Sequence, residues 1–176
     1  SGDFNFSRAS SATRVNAEGL IEEMPYNLVT YSEDFSNAAW EKGSVSVSAN
    51  QEISPDGNQN ADIVTIETAG LSVLQQRKTS VLANTEYNFS FYAKKGTATD
   101  IKYSVFDWSN FNEIVAPTSY FNSLDGTNWT RITIAFTTPI GCTSIIIYPN
   151  RDSDSTGTFY LYGCQLEQGS YPTSYI

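Results

Sequence analysis

The feature that most constrains this chain is a period of two. In Tyr87-Asn88-Phe89-Ser90-Phe91-Tyr92-Ala93-Lys94, the residues Tyr87, Phe89, Phe91 and Ala93 fall on one side of an extended backbone, with Asn88, Ser90, Tyr92 and Lys94 on the other. Trp129-Thr130-Arg131-Ile132-Thr133-Ile134-Ala135-Phe136 repeats the pattern, with Ile132, Ile134 and Phe136 inward and Arg131 and Thr133 outward. A strand with one apolar face must bury it against another layer, and nowhere does the period of an amphipathic helix take over. Nine β-rich runs, at 27–31, 43–48, 61–66, 71–76, 87–94, 101–106, 129–136, 143–148 and 158–166, alternate with turn chemistry. The turns read as Pro55-Asp56-Gly57, Lys95-Gly96, Leu124-Asp125-Gly126 and Pro139-Ile140-Gly141. These observations predict an all-β fold, a two-sheet antiparallel β-sandwich, and no internal repeat points to a propeller or solenoid.

A chain of 176 residues suits one such domain. The reading places it at 27–176, preceded by an N-terminal arm over 1–26. That first stretch is rich in Ser, Ala, Asn and Arg, with only Leu20 and Ile21 as anchors. Alone it cannot offset its conformational entropy, so it is expected to order on a neighbouring surface, its own domain or another subunit. The start, Ser1-Gly2-Asp3, carries neither an initiator Met nor a signal-peptide pattern, and is expected to be a cut made in a longer protein. No run approaches the length of a transmembrane helix.

Charge and composition exclude several function classes. The net charge of -9 opposes nucleic acid and anionic membranes as partners, because phosphate binding by counterion release needs the opposite balance. There is no His, which removes the commonest general base and every His-dependent triad. A glycosidase working with two carboxylates would draw on Asp107, Glu113, Asp152, Asp154 or Glu167, yet each falls in a polar loop or at a strand end, where a solvent-facing charge is the ordinary explanation. Phosphate-cradling loops, dinucleotide fingerprints and nucleophile elbows are absent. Cys142 and Cys164 match no zinc spacing; as two buried small hydrophobes or as a cross-strand disulfide, they leave both alternatives open.

Three segments carry a resemblance. They are Asn27-Leu28-Val29-Thr30-Tyr31-Ser32-Glu33-Asp34-Phe35-Ser36-Asn37-Ala38-Ala39-Trp40, the Tyr87-to-Lys95 strand, and Tyr160-Leu161-Tyr162-Gly163-Cys164-Gln165-Leu166-Glu167 with Tyr171-Pro172-Thr173-Ser174-Tyr175-Ile176. In that order they resemble the jelly-roll modules of phage tail and receptor-binding proteins, distantly similar to the carbohydrate-binding modules of glycanases. Residues 6–15 and 19–21 resemble the segment that often precedes this module in phage structural proteins. The resemblance implies a jelly roll that recognises a polysaccharide or cell-surface glycan, outside the cell or on a virion. Related modules often hold a structural calcium with an acidic residue just after the first-strand Phe and another in the last strand. Here those places carry Ser36 and Cys164-Gln165, leaving Glu33 and Asp34 as the calcium candidates.

Sugar binding needs flat apolar rings against pyranose C–H faces, flanked by planar hydrogen-bonding groups. Tyr92 lies on the non-core side of its strand, Trp108 stands in the loop Asp107-Trp108-Ser109-Asn110-Phe111-Asn112, and Tyr148 is out of phase with Ile145 and Ile147, with Arg151 just beyond. The alternation predicts that Tyr92 and Tyr148 share one surface, with the Trp108 loop walling one end and Gln76 adding an amide, although which of Gln75 and Gln76 faces outward is open. Trp40 and Trp129 are expected to plug the sandwich ends. The predicted function is a non-catalytic carbohydrate-binding module working by aromatic stacking and hydrogen bonds. The alternative is a structural or assembly module of a phage tail or other virion protein, whose arm packs on a neighbouring subunit and whose rings are all buried.

Overall fold

The structure is a computed structural model that describes residues 26–175 in full and the backbone of residues 13–15 and 21–23. Strands β1 (Thr13–Val15) and β2 (Ile21–Glu23) pair antiparallel, with Thr13 opposite Glu23, where the sequence had suggested no strand. The remainder of the 1–26 arm, and its expected docking on a neighbour, lie outside the described residues.

Ten further strands follow: β3 (Glu41–Gly43), β4 (Val45–Glu52), β5 (Ala61–Ile66), β6 (Val73–Thr79), β7 (Glu86–Lys95), β8 (Lys102–Asp107), β9 (Asn112–Ser119), β10 (Thr130–Thr137), β11 (Ser144–Arg151) and β12 (Gly157–Gln168). They form two five-stranded antiparallel sheets, the first in the order β10-β7-β12-β5-β4 and the second in the order β3-β6-β11-β8-β9. Only a single turn of 3-10 helix, Phe121–Ser123, interrupts this all-β jelly roll among the described residues. The inward residues of the period-two pattern meet as predicted. Phe89, Phe91, Leu161 and Leu166 from the first sheet pack on Leu74, Val105, Ile145 and Ile147 from the second, all of them fully buried. Each such side chain contributes roughly 1.5–3 kcal/mol of burial.

Trp40 plugs the core as expected, with its indole N–H donating to the Tyr31 carbonyl at 2.9 Å and its ring 5.0 Å from Phe35. Trp129 does not. It is half-buried on the outer side of the first sheet, with its N–H on the Ile53 carbonyl at 2.9 Å and the Lys94 ammonium 5.4 Å from its ring.

Residues 27–31 are not a strand. β5 pairs with β12 only as far as Leu161, and a bulge separates Tyr162 from Gln165, so one edge of β12 lacks a ladder partner beyond that point. The Asn27 carboxamide serves that edge, donating to the Cys164 carbonyl at 2.9 Å and accepting from Leu166 N–H at 3.0 Å, while Leu28 N–H donates to the Leu166 carbonyl at 2.9 Å. At the bulge Gly163 has φ +61, and a Cβ there would lie 3.1 Å from the Tyr175 ring. The reading by runs missed β3 and β9. β9 contains Pro117 and lies at a sheet edge, where a missing N–H costs little. Cys142 and Cys164 are free thiols, both buried, with Cys142 just ahead of β11 in one sheet and Cys164 in β12 of the other. The small-hydrophobe alternative holds and the disulfide does not.

Candidate functional site

The sandwich has two outward faces, and the chain itself covers the middle of one of them while leaving Ser46, Ser48, Thr133 and Ala135 at its flanks exposed. On the first sheet the outward residues Asn88, Ser90, Tyr162, Gln165 and Glu167 are buried. The segment after β12 lies over them: Thr173 N–H donates to Glu167 at 3.0 Å, the Tyr175 ring sits 5.4 Å from that of Tyr162, and the Tyr175 hydroxyl bonds that of Ser32 at 2.8 Å. The connection between β4 and β5 closes the other part of this face, with Glu52 pairing Lys94 at 3.1 Å and Asp56 accepting from the Tyr162 hydroxyl at 3.1 Å.

The second sheet keeps a different outer surface. Its register sets Arg77 of β6, Ile146 of β11, Phe106 of β8 and Glu113 of β9 side by side across four strands, with Tyr148 and Ser104 opposite each other in the next row. The β8–β9 turn adds Trp108 and Phe111. The Asp107 carboxylate builds that turn by accepting Ser109 N–H at 2.8 Å, Asn110 N–H at 3.1 Å and the Asn110 amide at 2.6 Å. Burial pushes its pKa up, but these bonds and one from Cys142 outweigh burial and hold it below the usual carboxylate range. Within the turn Phe111 takes a left-handed φ of 55, a conformation that costs a non-glycine residue on the order of 1 kcal/mol. It leaves the ring 67% exposed, 5.1 Å from Trp108 and 6.3 Å from Phe106.

Two guanidinium groups lie on these rings. Arg77 sits 4.6 Å over Trp108 and donates from Nε to the Ser144 hydroxyl at 3.0 Å. Arg151 sits 4.8 Å over Tyr148 and 5.5 Å from Phe106, and grips Glu113 with both ends of its fork, Nη2 to Oε1 at 2.8 Å and Nη1 to Oε2 at 2.9 Å. Nη1 also donates to the Ser104 hydroxyl at 3.0 Å. Burial raises the Tyr148 pKa while Arg151 pulls against it.

Of the residues singled out from sequence, Trp108, Tyr148 and Arg151 come together on this face. Tyr92 does not join them. It stands on the outer side of the first sheet, tilted against Tyr162 at 6.3 Å with Arg131 at 5.6 Å. The alternation tells outward from inward but not one sheet from the other, and β7 and β11 belong to different sheets. Gln76 is also displaced. It pairs with the core residue Ile147, points inward, and spends its amide on Thr30, accepting its N–H at 3.1 Å and donating to its carbonyl at 2.9 Å. Gln75 is the glutamine facing out, bonded to Glu41 at 2.6 Å. Sequence reasoning missed Arg77 and Phe106 because cross-strand register, not spacing, sets them on one row, and missed Phe111, three residues from Trp108, because the left-handed backbone of the turn is what brings its ring to Trp108.

The five candidate acids are engaged in structure. Besides Asp107 and Glu113, Asp152 lies 3.6 Å from Arg151, Asp154 2.5 Å from Lys102, and Glu167 accepts from Gln165 and Thr173. The calcium candidates diverge. Glu33 accepts from the Tyr162 hydroxyl at 2.9 Å and from Asn60, while Asp34 serves its own turn through Ser36 and Asn37. Among the described residues no three His, Cys, Asp or Glu side chains gather so as to hold a metal, and two diverging carboxylates do not fit the 6–8 oxygens of calcium. No helix among them is long and apolar enough to cross a membrane.

The architecture defines a jelly-roll β-sandwich of the kind found in tailspikes and glycan-binding modules. No family model matches the chain, and no curated protein matches it in sequence. Solved structures match in fold. The enzymatically active domain of tailspike protein 4 from bacteriophage CBA120 has a TM-score of 0.59 at 16% identity over 81% of this chain and 21% of that one. The CBM22-1 xylan-binding domain of Xyn10C from Paenibacillus barcinonensis has a TM-score of 0.57 at 15% identity, covering 85% and 95%. TmCBM61, solved with β-1,4-galactotriose, has a TM-score of 0.56 at 16% identity, covering 82% and 99%. The chain thus spans about a fifth of the tailspike it matches and nearly the whole of these two carbohydrate-binding modules.

Proposed function

We propose that residues 27–176 form a non-catalytic carbohydrate-binding module and that the outer face of the second sheet binds a polysaccharide outside the cell or on a virion. The observation that carries this reading is the pair of adjoining rings at the edge of that face, Trp108 and the 67% exposed Phe111, next to hydrogen-bonding side chains on the same rows. Pyranose C–H faces stack on such rings, and Arg77, Arg151, Glu113 and Gln75 supply the donors and acceptors for hydroxyls. A solved neighbour described as a xylan-binding domain and another solved with galactotriose support a glycan partner. The commitment of all five candidate acids to turns, ion pairs and the terminal segment supports a role without catalysis. The 1–26 segment remains the arm proposed to dock on a neighbouring subunit.

Affinity gel electrophoresis against a panel of soluble neutral and acidic polysaccharides tests the reading. At least one polymer is expected to retard the protein, and Trp108→Ala and Phe111→Ala each weaken that retardation roughly tenfold, as loss of about 1.5 kcal/mol of ring contact requires. Retardation by no polymer would favour the assembly module instead, and variants retarded as strongly as the parent would move the site off this face.

A further inference from the structure

We infer that the ligand of this face is an acidic glycan whose carboxylate is taken by Arg77; the inference rests on the reading of the second sheet as the glycan-binding face. The two arginines there differ in one respect. Arg151 has its charge matched, with both fork nitrogens on Glu113 and Asp152 3.6 Å from Nε. Arg77 is exposed, and among the described residues no carboxylate pairs with it; its one hydrogen bond is from Nε to Ser144. The ends Nη1 and Nη2 keep the two parallel donors that match a carboxylate. Of the other described cations, Lys94 pairs with Glu52, Lys102 pairs with Asp154 and Lys42 donates to four backbone carbonyls, while Arg131 on Ser90, Lys95 on the Phe121 ring and Lys78 beside Thr30 lack a carboxylate but touch none of the rings of this face.

The position of Arg77 fits such a ligand. The Arg77 guanidinium carbon lies 4.6 Å over the Trp108 ring, a contact that restrains the side chain, so less rotamer freedom is lost when an anion docks. The backbones of Arg77 and Glu113 stand at opposite ends of one cross-strand row, three strand spacings or roughly 14 Å apart, room for a short oligosaccharide along the row. An acidic sugar over Arg77 thereby places its charge at the end of the row away from Glu113 and Asp152. The chain's net charge of -9 repels a polyanion at long range, but exposed charges beyond roughly 8 Å are screened at physiological ionic strength, where a contact pair is screened less.

The test compares a uronic-acid polysaccharide such as polygalacturonate with the same polymer after chemical reduction of its carboxyls to neutral sugar, by affinity electrophoresis at low and high salt. The unsubstituted protein is expected to bind the acidic polymer at least tenfold more tightly than the reduced one, a preference that shrinks with added salt. Arg77→Gln is expected to bring that ratio near one, and Arg77→Lys, which keeps the charge without the fork, to fall between. Arg131→Gln, on the opposite sheet, keeps the preference. Equal binding to the acidic and reduced polymers overturns the inference while the glycan-binding reading stands, as does a preference that survives Arg77→Gln. Binding to neither these polymers nor any other overturns both.

Discussion

Asn27→Ala is expected to cost the fold far more than a surface substitution normally does. Beyond Leu161 the edge of β12 has no strand beside it, and the Asn27 amide supplies what a ladder would, donating to the Cys164 carbonyl and accepting from Leu166 N–H. Cys164 and Leu166 are fully buried, so water cannot replace those bonds. Each buried backbone group left without a partner costs about 1–3 kcal/mol, which sums to roughly 2–6 kcal/mol for the pair. The bond to Val29 N–H at 2.9 Å is lost as well. In a domain of this size 1 kcal/mol moves Tm by about 2–4 °C, so the midpoint is expected to fall by on the order of 10 °C. Urea unfolding should give a lower midpoint with an unchanged slope, since the surface exposed on unfolding stays the same. Asn27→Asp keeps the acceptor for Leu166 but sets a carboxylate against the Cys164 carbonyl, so it should not rescue the loss. A Tm within 2 °C of the parent for Asn27→Ala would refute the idea that this amide completes the strand.

Burial pushes the Cys142 thiol up to about 11, with Asp107 adding to the effect, and raises the Cys164 thiol well above its ordinary value. Both are therefore expected to be silent to a thiolate-selective reagent at pH 8 and to titrate as two free thiols in denaturant; one reactive thiol in the native protein would contradict the packing. Asp107 gives a pH signature. Its folded pKa lies below the unfolded value near 4, so the stability it contributes is present above pH about 4 and lost as pH falls through the lower folded value. Thermal melts from pH 6 to pH 2 should show a steeper loss for the parent than for Asp107→Asn, and parallel curves would refute the assignment.

The sandwich and much of its core were legible because alternation is a local property. Tyr87, Phe89, Phe91 and Ala93 face inward whatever lies beyond them, and the 61–66 run matches β5 residue for residue. Legibility ended where the answer depended on which strands become neighbours. Tyr92 and Tyr148 look equivalent along the chain, yet β7 and β11 lie in opposite sheets, and Gln76 turns inward to hold Thr30. The 27–31 run has the composition of a strand, but it meets β12 through the Asn27 side chain and a single backbone bond from Leu28. Arg77 sits in a polar stretch, Arg77-Lys78-Thr79-Ser80, with nothing to set it apart until register brings it to Trp108.

The unequal treatment of the two faces links fold to function. On the first sheet Tyr162 packs against Tyr175 and bonds Glu33 and Asp56, and Glu167 holds Thr173, so its outward residues carry stability as inward ones do. A ligand could reach the covered part of that face only by displacing contacts made within the chain. On the second sheet Phe111 and Arg77 are exposed and hold little of the fold together, while the buried Tyr148, Ile146 and Ser104 beneath give them a fixed floor. The binding proposed there would ask for little reordering, because the turn built on Asp107 and the Arg77–Trp108 contact are formed without a ligand. Ligand preference at Phe111 and Arg77 can thus change with small effect on folding, whereas substitutions at Asn27, Tyr162 or Glu167 act on the fold as a whole.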